Sequence, residues 1–247
     1  MRIVIAGGHG KIALLLERLL AERGDQPVGL IRNPVQAADV HKAGAEPVVC
    51  DLETAPADEV AGLLSGADAV VFAAGAGPGS GVARKDSVDR AASVLMADAA
   101  ERARVGRFVQ ISSMGAGQPP QRGTDEVWAV YITAKTAAED DLRSRDLGWT
   151  ILRPGGLTDD PATGRVRLAA PPVPRGKIPR ADVTAVIAAL LDEPATRHQT
   201  LELVSGDTPV AAAVRSISSS PLQDRASAVR RNRPAAGQAG TGRPAHR

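Results

Sequence analysis

The opening of the chain constrains its fold more than any other stretch, because an apolar run, a glycine cluster and an amphipathic helix follow one another without a break. Arg2 to Ala6 reads as a buried strand. Gly7-Gly8-His9-Gly10-Lys11-Ile12-Ala13 comes next, and Ile12, Leu15, Leu16, Leu19 and Leu20 then recur at the spacing that gathers apolar side chains on one helix face. Gly24 ends that helix. In Gly7-x-x-Gly10-x-x-Ala13 the first glycine permits the tight turn, the second lets the backbone approach a phosphate where a Cβ would intrude, and the small alanine lets the helix close on the sheet. Main-chain N–H groups and the positive end of the helix dipole converge on one point there, which suits a pyrophosphate. Simple turn glycines have the same spacing; the position between a clean strand and a clean helix favours the phosphate reading. Gly7, Gly8, His9, Gly10, Lys11 and Ile12 are the candidate residues of this cradle.

The alternation continues along the chain. Val28 to Ile31, Pro47 to Cys50, Ala69 to Ala74, Arg107 to Ile111, Thr150 to Arg153 and Thr200 to Val204 read as strands. Helical patterns separate them at Pro34 to Lys42, residues 57–65, Ser87 to Arg104, Asp125 to Arg145 and Ala181 to Leu191, with short strands at Arg165 to Ala169 and Gly176 to Ile178 in an insertion. Strands alternating with helices predict an α/β fold, a Rossmann-type three-layer sandwich around a mostly parallel, doubly wound sheet. The domain is expected to span residues 1–217, with a small substrate-side insertion near 157–180. No repeat of 20 to 50 residues is visible, which argues against solenoids and propellers.

Composition narrows the function. The sequence pI of about 9.0 invites a nucleic-acid reading, but the charge is local: residues 221–247 hold six arginines against one acid, Asp224, which leaves residues 1–220 at a formal −3. A mildly acidic body builds no phosphate-tracking groove, so no nucleic acid is expected to bind the folded domain. The end of the chain, 218–247, is rich in Pro, Gly, Ala and Ser and is expected to be a disordered basic tail. One cysteine, Cys50, allows no internal disulfide and is expected to be a small core residue. The four histidines lack metal-ligand spacing, so no metal site is expected. No run of eighteen apolar residues and no leader pattern occurs, and the expected setting is cytoplasmic, with no membrane partner. The helix faces are compatible with a monomer or a homodimer.

The end of the second strand bears on which dinucleotide fits. An acid there would hold a ribose 2′-OH and repel a 2′-phosphate. Here the chain reads Ile31-Arg32-Asn33, and a guanidinium fork at Arg32 favours NADP over NAD. Asp51-Leu52, after the third strand, falls where a carboxylate can hold an adenine amino group or cap the next helix.

Taken together, Gly7 to Ala13, Ile31-Arg32-Asn33-Pro34, Asp51-Leu52, Ala73-Ala74-Gly75, Ile111-Ser112-Ser113, Tyr131-x-x-x-Lys135 and Arg153-Pro154-Gly155-Gly156-Leu157-Thr158 give a chain that resembles the short-chain dehydrogenase/reductase superfamily, in its atypical, NAD(P)H-binding, epimerase-like branch. The resemblance runs from residue 1 to about 210. It implies that Ala73, Ala74, Gly75, Pro154 and Gly155 lie along the cofactor, the Pro-Gly turn beside the nicotinamide. It also implies that Asp89, in Ser87-Val88-Asp89, stands where the superfamily more often has an asparagine.

The chain's one tyrosine, Tyr131, has Lys135 four residues on, which puts both on one helix face. A phenol, with an ordinary pKa of about 10, needs a neighbouring cation to serve as acid and base near neutrality. Tyr131 is thus the candidate proton carrier and Lys135 its cation, with a hydroxyl of Ser112 or Ser113 orienting the reacting oxygen and Asp89 holding Lys135 through water. Two functions are compatible with these residues. One is an NADP-dependent oxidoreductase or epimerase acting on a small carbonyl or alcohol. The other is a redox sensor that binds the dinucleotide and regulates a partner without turnover.

Overall fold

The computed structural model describes residues 1–77, 80, 84–119 and 125–218. Of the basic tail expected over 218–247, Ser218 belongs to the last helix and the rest lies outside the described residues. The elements are β1 (Arg2–Ala6), α1 (Lys11–Glu22), β2 (Gln26–Ile31), α2 (Ala37–Lys42), β3 (Glu46–Val49), α3 (Ala57–Leu63), β4 (Ala69–Phe72), α4 (Ala92–Arg102), β5 (Phe108–Ile111), α5 (Glu126–Arg143), β6 (Trp149–Pro154), β7 (Gly156–Thr158), β8 (Arg165–Ala169), β9 (Lys177–Pro179), α6 (Arg180–Leu191), β10 (Gln199–Ser205), β11 (Thr208–Pro209) and α7 (Val210–Ser218). A π-helical segment, Lys85–Ala91, leads into α4.

Nine strands form one sheet in the order β11-β8-β10-β6-β5-β4-β1-β2-β3. From β3 to β10 every neighbouring pair is parallel. Side chains alternate across a strand, and β1 shows the result. Ile3 and Ile5 join Leu16 and Leu20 of α1 and Val186 and Ile187 of α6 on one face. Val4 and Ala6 join Val60, Leu64 and Met96, from the α3 and α4 side, on the other. A strand buried on both faces cannot afford polar alternation, and for that reason it reads as a continuous apolar run. The sheet order reverses between β1 and β4, and in such sheets the crevice at the carboxyl ends of those strands is where ligands bind.

The insertion is built differently from the sequence expectation. β8 is not confined to it: β8 pairs antiparallel with β10 and extends the main sheet. β7 and β9 form a separate two-stranded parallel sheet. β7 and β11 are too short to carry a readable period, whereas α7 has a legible apolar stripe, Val210, Ala213, Val214 and Ile217, and is a helix that the sequence expectation lacks. Among the described residues no helix is long and apolar enough to cross a membrane.

Candidate active site

The crevice between β1 and β4 is the centre of a groove with two chambers. The first, a cavity of about 260 Å3, runs over the glycine turn to the ends of β2 and β3 and is lined by Gly7, His9, Arg32, Asp51, Leu52 and Glu53, among others. The second, of about 760 Å3, runs the other way to Ser112, Tyr131, Lys135, Pro154 and Leu157. They share Gly10, Ala73, Ala74 and Gly75, so one ligand can span both.

The turn that divides them depends on two glycines. Gly7 has φ +78°, and a Cβ there would stand 2.7 Å from the Cα of Ala74 in the loop after β4. A Cβ on Gly10 would stand 3.1 Å from the Gly7 carbonyl. Gly10 is also the N-cap of α1, provides no side-chain cap, and is followed by no acid in the first turn. The open amides and dipole of a twelve-residue helix therefore face the groove without a competing anion. These residues fit a dinucleotide's pyrophosphate.

At the first chamber's far wall, Arg32 Nη1 and Arg84 Nη2 each donate to Glu53 Oε2 at 2.8 Å, and Ser87 Oγ donates to Glu53 Oε1 at 2.6 Å. The Ser87 hydrogen bond, with the two guanidinium groups, holds the Glu53 carboxyl below the usual carboxylate range. Asp51 Oδ1 accepts from Glu53 N at 3.1 Å and so shapes the turn before α3. Cys50 is buried yet lines this chamber. His9 pairs with Asp39 at 2.8 Å.

In the second chamber one stripe of α5 carries the chemistry. Tyr131, Lys135 and Glu139 lie four residues apart on one face. Lys135 is buried; its Nζ donates to Ile111 O at 3.2 Å and forms an ion pair with Asp89 Oδ1 at 3.1 Å. It lies 5.8 Å from the centre of the Tyr131 ring. Asp89, on the π-helical segment, also accepts from Ala76 N at 3.3 Å. The Asp89–Lys135 contact is thus direct, with no room for the bridging water the sequence suggested. A second ammonium, Lys85 Nζ, stands 5.2 Å from the same ring. π-helical turns shift side chains relative to an α-helix, and here Lys85 and Asp89 both reach the groove.

Ser112 also lines the chamber, but its Oγ donates to Glu139 Oε1 at 2.5 Å. Arg153 Nε donates to the same oxygen at 2.8 Å and Arg143 Nη2 to Oε2 at 2.7 Å. With its proton committed to Glu139, Ser112 offers the chamber lone pairs. At the chamber's outer end Lys11 and Arg180 both pair with Asp159 at 2.6 Å, and the Lys11 hydrogen bond, with Arg180, keeps that carboxyl low.

Four expected residues are placed away from the groove lining. Gly8 donates its N–H to Leu30 O at 2.9 Å and packs against Gly29. The Asn33 side chain accepts from Val35 N at 3.1 Å, capping the 3-10 turn Pro34–Gln36. Ser113 Oγ turns to Met114 O, and Gly155 donates to Leu203 O at 2.9 Å with Gly176 against it. Asn33 and Ser113 turn to backbone within two residues, while Gly8 and Gly155 are tied to strands distant in sequence. Glu53, Lys85 and Glu139 were the reverse case, lining or supporting the groove without being singled out by sequence. Only Glu139 had a readable signal, its place on the Tyr131–Lys135 stripe.

The family profile for NAD(P)H-binding proteins matches residues 7–194. The chain belongs to the NAD(P)H-binding family. It is 34% identical over 218 residues, 88% of its length, to the uncharacterized sugar epimerase YhfK of Bacillus subtilis, all of which is covered. Among solved structures it is similar to a protein of Bacillus halodurans described as an NAD-dependent epimerase/dehydratase, with TM-score 0.80, 34% identity, and 87% of this chain and 99% of that one covered. The oxidoreductase ylbE of Lactococcus lactis gives TM-score 0.75 at 26% identity, with 87% and 96% covered. Family membership assigns the chain a nicotinamide dinucleotide, and the Gly7–Ala13 turn is shaped to fit its pyrophosphate.

Proposed function

We propose that the protein is an NADP-dependent oxidoreductase or epimerase that acts on a small carbonyl or alcohol. The observation that carries this reading is the open second chamber of about 760 Å3, with Tyr131 on its wall between two ammonium groups. A sensor that only registers bound dinucleotide needs no such space beside a proton carrier. The relatives named for epimerase and oxidoreductase activity are consistent with turnover.

When bound, the nicotinamide supplies or takes up a hydride. The rest of the chemistry belongs to side chains of this chain. In reduction, a carbonyl carbon gains hydride while its oxygen takes the proton of Tyr131 Oη, and the phenolate regains a proton from solvent. Oxidation of an alcohol runs the same steps backwards, and epimerisation is oxidation followed by return of hydride to the opposite face. Lys85 Nζ and Lys135 Nζ lie 5.2 and 5.8 Å from the centre of the Tyr131 ring. Ser112, presenting lone pairs, accepts a hydrogen bond from an alcohol substrate or from Tyr131. An NADPH-consumption screen over aldehydes, quinones, flavins and nucleotide sugars tests the proposal; activity on none of them, with NADPH bound, would favour the sensor.

The preference for NADP is supported by Arg32 and Arg84 at the first chamber's wall. Two guanidinium forks meet at one carboxylate, Glu53, and their remaining N–H donors suit a 2′-phosphate. Calorimetric titration should show NADPH binding at least about tenfold tighter than NADH, as expected for charge-assisted hydrogen bonds of about 1.5–3 kcal/mol. Arg32→Ala and Arg84→Ala should each shrink that ratio through NADPH alone. Equal affinity of the unsubstituted protein for the two coenzymes would contradict the assignment.

A further inference from the structure

The second chamber has an apolar mouth. Among the described residues only six large hydrophobic side chains are exposed, and three of them, Val127 at 43%, Trp128 at 41% and Leu157 at 37%, stand around this one cavity. The Trp128 ring packs against Tyr131 with centres 5.3 Å apart. Clustered exposed apolar surface at the mouth of a cavity marks a binding site for apolar ligand surface.

Lys85 supplies a second, independent observation. It is only 8% exposed and lines the same cavity. Its Nζ donates to Gly77 O at 2.9 Å and lies over the Tyr131 ring, but no carboxylate pairs with it among the described residues. The two acids on the wall are engaged elsewhere: Asp89 with Lys135, and Asp125 as the N-cap of α5 through Trp128 N at 3.0 Å. An ammonium has three donors, and a buried one without a counter-ion is costly unless a ligand provides the charge.

We propose that the substrate is an amphiphilic anion, an aromatic or extended apolar body carrying a carboxylate, with the body against Val127, Trp128 and Leu157 and the carboxylate on Lys85. This rests on the reading of the cavity as a substrate chamber. It makes Lys85 a specificity-determining residue and separates the ligand from neutral polyols.

Calorimetry with 2-naphthoate and its neutral isostere 2-naphthamide tests the assignment without turnover, on the full chain with and without saturating NADP+. The expected result is at least tenfold tighter binding of the naphthoate, and loss of that preference in Lys85→Gln, which keeps a donor for Gly77 O. Equal binding of both probes to the unsubstituted protein overturns the proposal. So does an equal loss of both in Lys85→Gln, which would mean that Lys85 merely holds the wall. Failure of NADP+ to bind would instead count against the proposed function, while the naphthoate preference of the cofactor-free protein is still read.

Discussion

Tyr131→Phe is expected to lower kcat for reduction of a carbonyl substrate by about 10²- to 10⁴-fold, the range in which a positioned proton donor contributes to catalysis, with NADPH affinity unchanged. The substitution removes one hydroxyl and leaves the ring that packs on Trp128 and faces Lys85. Lys135 is a poorer choice for the same test. It is one half of a buried ion pair with Asp89, and removing one member of such a pair leaves an uncompensated charge that typically costs about 3–5 kcal/mol. A loss of activity there would mix chemistry with folding. Single-turnover kinetics following the nicotinamide absorbance, beside an NADPH titration of the same variant, separates the two effects. A variant that turns over at the unsubstituted rate removes Tyr131 from the reaction.

The second large effect is on stability and lies beneath the glycine turn. Glu17 is fully buried in α1, neither carboxyl oxygen has a hydrogen-bond partner among the described residues, and its Oε1 lies against the backbone of Gly29. Burial pushes its pKa up from 4.5 to about 8. Below about pH 4.5 the carboxyl is neutral in folded and unfolded chains alike. Between there and about pH 8 the folded chain keeps a proton that the unfolded chain releases, so stability falls as pH rises through this window and then levels off. At about 1.4 kcal/mol per pKa unit, the loss is on the order of 5 kcal/mol. Glu17→Gln cannot ionise, and chemical denaturation should show it more stable than the unsubstituted protein at pH 8 by an amount that vanishes toward pH 4.5. A pH-independent difference would show that Glu17 stays in one protonation state throughout.

What the sequence revealed and what it concealed have different physical causes. β1 and α1 were legible because two periods meet there: a run apolar on both faces, then an apolar stripe at helical spacing. Tyr131 and Lys135 were legible because four residues is one helical turn. Glu17 was not, since α1 is covered on more than its apolar stripe. Ala13, Leu16 and Leu20 face one core and the carboxyl of Glu17 is enclosed beside β2, where propensity expects a solvated acid. Lys85 and Arg84 follow the glycine-rich stretch after β4, and only the π-helical turn directs the first of them onto Tyr131. Ser112 shows the limit of motif reasoning: its position was readable, but the direction of its proton depends on Glu139, a residue 27 positions away.

A crystal structure of the protein grown with NADPH would locate the dinucleotide. The pyrophosphate is expected over the amides that follow Gly7, the 2′-phosphate between Arg32 and Arg84, and the nicotinamide in the chamber walled by Tyr131 and Pro154. A dinucleotide bound elsewhere, or a groove between β1 and β4 still without it at saturating NADPH, would contradict that placement.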